Sequence, residues 1–244
     1  MPQLVARDSR EDLDNPIYDW PERVARTTFE IGQSLLWQGR YIDADDVCRT
    51  GYMRIAGAKW AAWDDMIKGV VRFAERDFSE AERLLTASIA LLQAEGFEDF
   101  TPTIRCALAA CRRAQGEVVR AREVLAKAEK ARQTPGTAAA VLAERAEWAL
   151  ATGGHTAAID DFRRLSRSSL PLWSGVGHLR RAELGIDPEV HAADALAQFG
   201  AVQSQWGLLR TRALTGDVTD NDLGELTRRL GPTDTFRPNA LWLF

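Results

Sequence analysis

The chain has 244 residues, a formal net charge of −4 at pH 7 and 27% charged side chains. A chain of this length can bury a sizeable core, and its acidic balance argues against a general nucleic-acid binder. Strong helix formers such as Ala, Leu, Arg and Glu dominate over β-branched residues, and no useful length of chain alternates with strand period. We therefore predict an all-α protein in one continuous array.

The first segment, residues 1–20, is a polar and acidic lead-in without the apolar stretch of a signal peptide. At its end, Asp19 is placed to cap a helix, with Pro21 in the first turn and Glu22 three residues after the cap. No apolar run approaches the roughly 18 residues of a membrane-spanning helix. We expect a soluble, cytoplasmic protein that does not contact a membrane.

A short phrase then recurs along the chain. It starts at Gly39, Arg76, Gly116 and Gly153, and each copy closes five residues later on an Ala, at intervals of 37, 40 and 37 residues. A left-handed residue such as Gly ends a helix, and an Ala one turn inside the next helix lets two helices approach closely. The phrase therefore predicts the corner of a helical hairpin, and its repetition predicts a stacked array.

A second feature has the same period. A small residue precedes each corner by seven positions, at Gly32, Gly69, Ala109 and Ala146. Together with the corners, this pattern resembles the tetratricopeptide repeat (TPR) family, in which antiparallel helix pairs of about 34 residues stack into a right-handed superhelix. The resemblance implies four TPR-like hairpins in residues 21–170.

Beyond these units the repeat weakens. Partial copies of the corner sequence at Gly185 and Gly216 predict two degenerate hairpins in residues 171–232. The expected fold is thus an α-α superhelix, or solenoid, of about six stacked hairpins. The apolar C-terminal tail, residues 233–244, either caps the last hairpin or docks in the groove of the same or another copy, which would give a regulated monomer or a homodimer.

Metal and disulfide chemistry find little support in the sequence. Neither the three cysteines nor the three histidines show the spacing of a disulfide framework or a metal site, and no carboxylate accompanies a histidine at ligand spacing. We interpret them as structural residues and predict no metal and no cofactor. The residues concerned are Cys48, Cys106, Cys111, His155, His178 and His191.

No catalytic motif stands out. The chain lacks a phosphate-binding loop, a nucleophile elbow, a paired-histidine zinc motif and a dinucleotide fingerprint. Carboxylate pairs such as Asp64 and Asp65 are adjacent in sequence, so on a helix they diverge by about 100°. We therefore predict that the protein is not an enzyme, since an active site would have to rest on His178 and His191 alone.

Charge is unevenly distributed along the chain. Residues 1–104 carry 12 basic and 19 acidic side chains, whereas residues 105–244 carry 19 basic and 16 acidic ones. The most basic segment, residues 105–132, suggests an alternative function as a binder of nucleic acid or another anionic ligand. Glutamates interleaved at helical ion-pair spacing argue against nucleic acid as the partner.

The TPR resemblance also implies a binding surface. In that family, ligands contact first-helix positions that line the concave groove. The number of residues between each of these positions and the corner identifies the equivalent positions in this sequence. Trp60 lies outside this set, and its helical spacing predicts a core residue. The groove positions are Arg26, Phe29, Gln33, Trp37, Trp63, Met66, Val70, Arg113, Glu144 and Glu147.

Such a groove is aromatic and Met-containing at one end and charged at the other. It would suit an extended peptide or a partner helix that inserts an apolar anchor. The resemblance therefore implies a non-catalytic protein- or peptide-binding module, acting as an adaptor or a regulatory sensor.

Overall fold

The computed structural model describes residues 20–219, and over that range the chain is all-helical and contains no strand. The predicted all-α class is confirmed. A short 3-10 helix, Glu98–Phe100, directly precedes the α-helix that starts at Thr101. The twelve α-helices of the described range are α1 (Trp20–Trp37), α2 (Tyr41–Arg49), α3 (Tyr52–Ile55), α4 (Ala58–Ala74), α5 (Phe78–Ala94), α6 (Thr101–Ala114), α7 (Val118–Lys130), α8 (Pro135–Ala151), α9 (His155–Leu165), α10 (Pro171–Glu183), α11 (Pro188–Ala201) and α12 (Gln205–Thr215).

The helices pack in adjacent pairs along the chain. Helix α4 packs on α5, α6 on α7, α8 on α9 and α10 on α11. The first helices of neighbouring pairs also touch, as α6 touches α8 and α8 touches α10. Most buried apolar residues of the described range join one continuous core. None of the described helices combines the length and the apolar character needed to cross a membrane.

Each predicted corner holds a left-handed residue. The backbone angle φ is 75° at Gly39, 67° at Arg76, 81° at Gly116 and 82° at Gly153. After each of them, the next amide donates to the carbonyl oxygen five residues earlier, over 2.7 to 2.9 Å. This is the bond that closes a Schellman helix end. The closing alanines are fully buried one turn into the second helix.

The small residues in the first helices mark close contacts between helices. A Cβ atom at Gly32 would lie 2.8 Å from Cδ1 of Ile67, and one at Gly69 would lie 2.9 Å from Cγ of Leu85. Both distances are shorter than a Cβ contact permits. A small side chain at this position is therefore what lets neighbouring helices meet.

Two features lie outside these expectations. The sequence pattern did not predict the one-turn helix α3, which buries Met53 and packs on α1 and α4. The lead-in before Trp20 and the tail at 233–244, with its cap, groove-docking and homodimer alternatives, lie outside the described residues. So does the segment after residue 219 that would complete the sixth hairpin.

Candidate functional site

An open pocket of about 330 Å³ lies between α1, the first turns of α4 and the connection that leads into α6. We call it the aromatic pocket, because five of its eight lining side chains are aromatic. The lining residues are Arg26, Phe29, Glu30, Lys59, Trp60, Trp63, Phe97 and Phe100.

The connection between α5 and α6 closes one side of the pocket. Helix α5 ends where Gly96 takes a left-handed φ of 76°, and the Phe97 amide then donates to the Leu92 carbonyl oxygen over 2.8 Å. The chain turns there into the short 3-10 helix that ends at Phe100. This turn brings two phenylalanines opposite the tryptophans of α4.

The rings support one another. The centroid of Trp63 lies 4.9 Å from that of Phe29 and 5.6 Å from that of Phe100, the latter in an edge-to-face arrangement at 82°. Both distances fall in the range of favourable aromatic pairs. Trp60 is buried and forms the floor, whereas Phe100 is 52% exposed at the open edge. The pocket wall is therefore formed before any ligand arrives.

Charged side chains surround the opening. The Lys59 Nζ atom lies 4.8 Å above the Trp60 ring centroid and 3.6 Å from the Glu22 carboxylate. On the other side, Arg26 Nε donates to Glu30 over 3.1 Å. Exposed ion pairs of this kind contribute little free energy. A ligand can therefore replace them at small cost.

Three of the ten predicted groove residues, Arg26, Phe29 and Trp63, line this pocket. Gln33 and Trp37 follow on α1 outside the lining, and Trp37 is 48% exposed. The sequence analysis missed the other lining residues. Trp60 is buried as predicted, yet it also lines the pocket. The sequence signal for the rest of this site is a pair of phenylalanines, three residues apart, just before a helix start at Thr-Pro. The lining residues that the sequence analysis missed are Glu30, Lys59, Trp60, Phe97 and Phe100.

The other five predicted groove residues are buried, which corrects the expectation that they line an accessible surface. Met66 and Val70 belong to the core. Arg113, only 7% exposed, faces the buried Glu144, and Glu147 is buried as well. The three charged residues are buried because they face side chains of the neighbouring helix pair.

Arg113, Glu144 and Glu147 belong to a set that we call the buried ion-pair chain. Arg113 on α6 pairs with Glu144 on α8, Glu147 on α8 pairs with Arg180 on α10, and Glu183 on α10 pairs with Arg210 on α12. Burial disfavours the charged form of Arg113, but the charge and hydrogen bonds of Glu144 outweigh it and raise the pKa of Arg113. The buried ion-pair chain thus links successive first helices through side chains that are buried, except for the partly exposed Glu183. Its members are Arg113, Glu144, Glu147, Arg180, Glu183 and Arg210.

The basic segment is also partly neutralised. Half of its eight cations are held by glutamates at 2.7 to 3.4 Å. The accessible positive surface is therefore smaller than the sequence count suggests. The paired cations are Arg112, Arg113, Arg120 and Arg122.

Two histidines that seemed unrelated in sequence meet in space. The Nδ1 atoms of His178 on α10 and His191 on α11 are 3.0 Å apart, and Asp194 Oδ2 lies 3.4 Å from the first and 3.9 Å from the second. The expectation that no second histidine or carboxylate lies within ligand distance is therefore wrong. The missed signal was the three-residue spacing of His191 and Asp194, which places both on one helix face. We call these three residues the histidine cluster.

Burial is the main cause of the shifted pKa values of the two histidines in this cluster. It lowers the pKa of His178, where His191 and Arg181 act in the same direction and Asp194 opposes them. Burial likewise lowers the pKa of His191, again with Arg181 in the same direction. Both rings are therefore biased toward the neutral form, which is the form that can ligate a metal.

No protein-family model matches the chain, and no curated protein matches it significantly. The function has to be inferred from the aromatic pocket and the surfaces around it.

Proposed function

We propose that the protein is a non-catalytic peptide-binding module whose aromatic pocket receives one bulky apolar side chain of a protein or peptide segment. The observation that carries this proposal is the wall of five mutually supporting aromatic rings around an opening at the surface. Exposed apolar surface of this kind, rimmed by charges, is typical of interaction sites.

The size of the pocket favours an anchor residue. Its volume of about 330 Å³ is near the lower end of the roughly 300 to 1,000 Å³ found for ligand sites. One bulky apolar side chain, together with part of the peptide that carries it, would fit in this volume and lose its water on entry. Binding energy in peptide recognition concentrates in such buried anchors.

The rim favours a peptide over a free apolar molecule. Lys59 and Arg26 offer positive charge and Glu30 offers negative charge in the lining, and Glu22 pairs with Lys59. Charged or polar groups on either side of the peptide's anchor residue can pair with the positive and the negative side chains of the rim, and this pairing would fix the orientation of the bound peptide. Because the anchor supplies most of the affinity, binding should depend weakly on salt.

We further propose that the helix pairs form a TPR-like superhelix, which would present the pocket at one end of an adaptor or regulatory sensor. The repeated Schellman corners and the tight contacts at Gly32 and Gly69 support this arrangement. The three free and buried cysteines fit a reducing compartment, as expected for a cytoplasmic adaptor.

The alternative, a binder of nucleic acid or another anion, depends on the basic segment. It would have to use the cations of that segment without an ion pair to a described residue, which are Arg105, Lys127, Lys130 and Arg132. Their affinity for a polyanion would fall steeply with ionic strength. Salt dependence therefore separates the two functions.

The proposal can be tested by selecting peptides from a displayed random library on the full chain. A selected peptide is then labelled and titrated with wild type, Trp63→Ala and Trp37→Ala. Trp37 is the matched control, because it is a half-exposed Trp outside the pocket. We expect Trp63→Ala, or replacement of the peptide's apolar anchor by Ala, to weaken binding by at least about tenfold.

Equal binding by wild type and Trp63→Ala would overturn the peptide-binding proposal. So would peptides without a common apolar residue, or an affinity that falls steeply with salt. The last result would favour the basic segment.

A further inference from the structure

The histidine cluster joins the two helices of one pair. His178 comes from α10, and His191 and Asp194 lie one turn apart on α11. Close packing holds the cluster in place: a Cβ atom at Gly177 would lie 2.3 Å from the backbone nitrogen of Ser166, so α10 presses directly on the end of α9. His178, the next residue on α10, contacts His191 on α11 through its Nδ1 atom.

The spacing of the three ligand atoms fits a metal ion. In a tetrahedral site with metal–ligand bonds of about 2.0 to 2.1 Å, ligand atoms lie roughly 3.3 Å apart. The separations here are 3.0, 3.4 and 3.9 Å. Shifts of a few tenths of an ångström would bring all three atoms within bonding distance of one ion.

We propose that His178, His191 and Asp194 bind one divalent transition-metal ion of the zinc type, through two Nδ1 atoms and one carboxylate oxygen. Two imidazoles with one carboxylate suit zinc and its first-row neighbours, whereas calcium and magnesium prefer oxygen ligands alone. Three protein ligands leave a fourth position for water. Asp194 is half exposed, so solvent and the ion reach the site from its side.

Nearby charges tune the site in opposite directions. Asp194 attracts a cation directly, and Asp187 adds a second negative charge that acts on His191. Arg181 acts on both rings with a positive charge and opposes the ion.

The bound ion would connect α10 to α11. Because a preformed site is absent from the unfolded chain, binding to the folded state raises its stability. This role does not depend on the aromatic pocket, which lies in the first helix pairs.

The test uses the full chain without a purification tag, stripped of metal by a chelator. Cobalt(II) is the spectroscopic probe, since its visible absorption reports imidazole and carboxylate ligands in tetrahedral geometry, and zinc(II) is then added as a competitor. We expect one ion per chain, with His178→Ala and Asp194→Asn each weakening binding by more than about tenfold. His155→Ala is the matched control, because His155 is the remaining histidine of the chain and is exposed.

The thermal midpoint gives a second readout. Zinc should raise it in wild type and His155→Ala, and at the same zinc concentration should raise it clearly less in Asp194→Asn. Asp194→Asn keeps the size of a half-exposed side chain, so it decides the outcome even where His178→Ala fails to fold. Absence of saturable binding by wild type, or equal binding by Asp194→Asn and wild type, would overturn the proposal and leave His178 and His191 as a hydrogen-bonded pair.

Discussion

Arg113 and Glu144 form a two-pronged ion pair inside the protein. Arg113 Nε donates to Glu144 Oε1 over 2.9 Å and Nη2 donates to Oε2 over 3.0 Å, and both side chains are almost fully buried. The pair connects α6 to α8, and Glu147, one turn further along α8, continues the connection to Arg180 on α10. The buried ion-pair chain therefore connects α6, α8 and α10 through charged side chains.

Loss of one partner of this pair should be costly. Arg113→Met leaves Glu144 as an uncompensated buried charge, and such changes typically cost about 3 to 5 kcal/mol. The free energy of unfolding, measured in urea, checks this expectation. The double variant Arg113→Met/Glu144→Leu should recover most of the loss, because no charge then remains unpaired. A double variant as unstable as the single one would show that the pair itself stabilises the fold.

A substitution at the open edge of the aromatic pocket should weaken peptide binding while leaving the stability of the fold almost unchanged. Phe100 is 52% exposed but contacts Trp63 edge to face. We expect Phe100→Ala to lower the free energy of unfolding by less than about 1.5 kcal/mol, since little of its surface is buried. The same change should weaken binding of an anchor peptide by about tenfold. Titration of a labelled peptide and urea unfolding on the same samples measure both, and Val119→Ala, which alters an exposed side chain on α7, serves as the control.

The second corner carries strain that the other three avoid. Arg76 takes a left-handed φ of 67° where the other corners have Gly. A side chain in this conformation costs roughly 1 to 2 kcal/mol, partly offset by the greater freedom of Gly in the unfolded chain. Arg76→Gly should therefore raise the free energy of unfolding by about 0.5 to 1 kcal/mol. Arg76→Ala is the comparison that keeps the strain, and an equal gain in both variants would contradict this explanation.

Tyr41, the buried first residue of α2, should make the fold sensitive to alkali. Burial raises the pKa of its phenol from 10.0 to about 12. Below pH 10 the phenol is protonated in both the folded and the unfolded chain, so its contribution to the free energy of unfolding is fully present. As the pH rises from 10 to 12 the unfolded chain ionises first, and roughly 2 to 3 kcal/mol of stability is lost.

The measurement is urea unfolding of wild type and Tyr41→Phe across this pH range. Tyr41→Phe should lose less stability between pH 10 and 12, because it has no phenol to ionise. Parallel curves for the two proteins would mean that other groups cause the alkaline loss. Cys48 and Cys111 are candidates, since burial raises the pKa of each thiol to about 12.

The local features of the fold follow from the sequence. The corner at Gly116 needs only a residue that tolerates a left-handed φ, a helix before it and a helix after it, all written in neighbouring residues. The small residues Gly32 and Gly69 likewise reveal close helix contacts, because only a missing side chain permits them. The helical class and the period of the repeat could be predicted because they also depend on residues that are close together in the sequence.

The sites were decided by tertiary structure. Helical periodicity shows which residues share a face, but the rotation of each helix against its neighbours decides whether that face meets solvent or protein. That rotation buries Arg113 against Glu144, which the sequence pattern had placed in an open groove. It also brings Phe100 to Trp63, and His178 to His191, across connections whose path depends on the packing of whole helices.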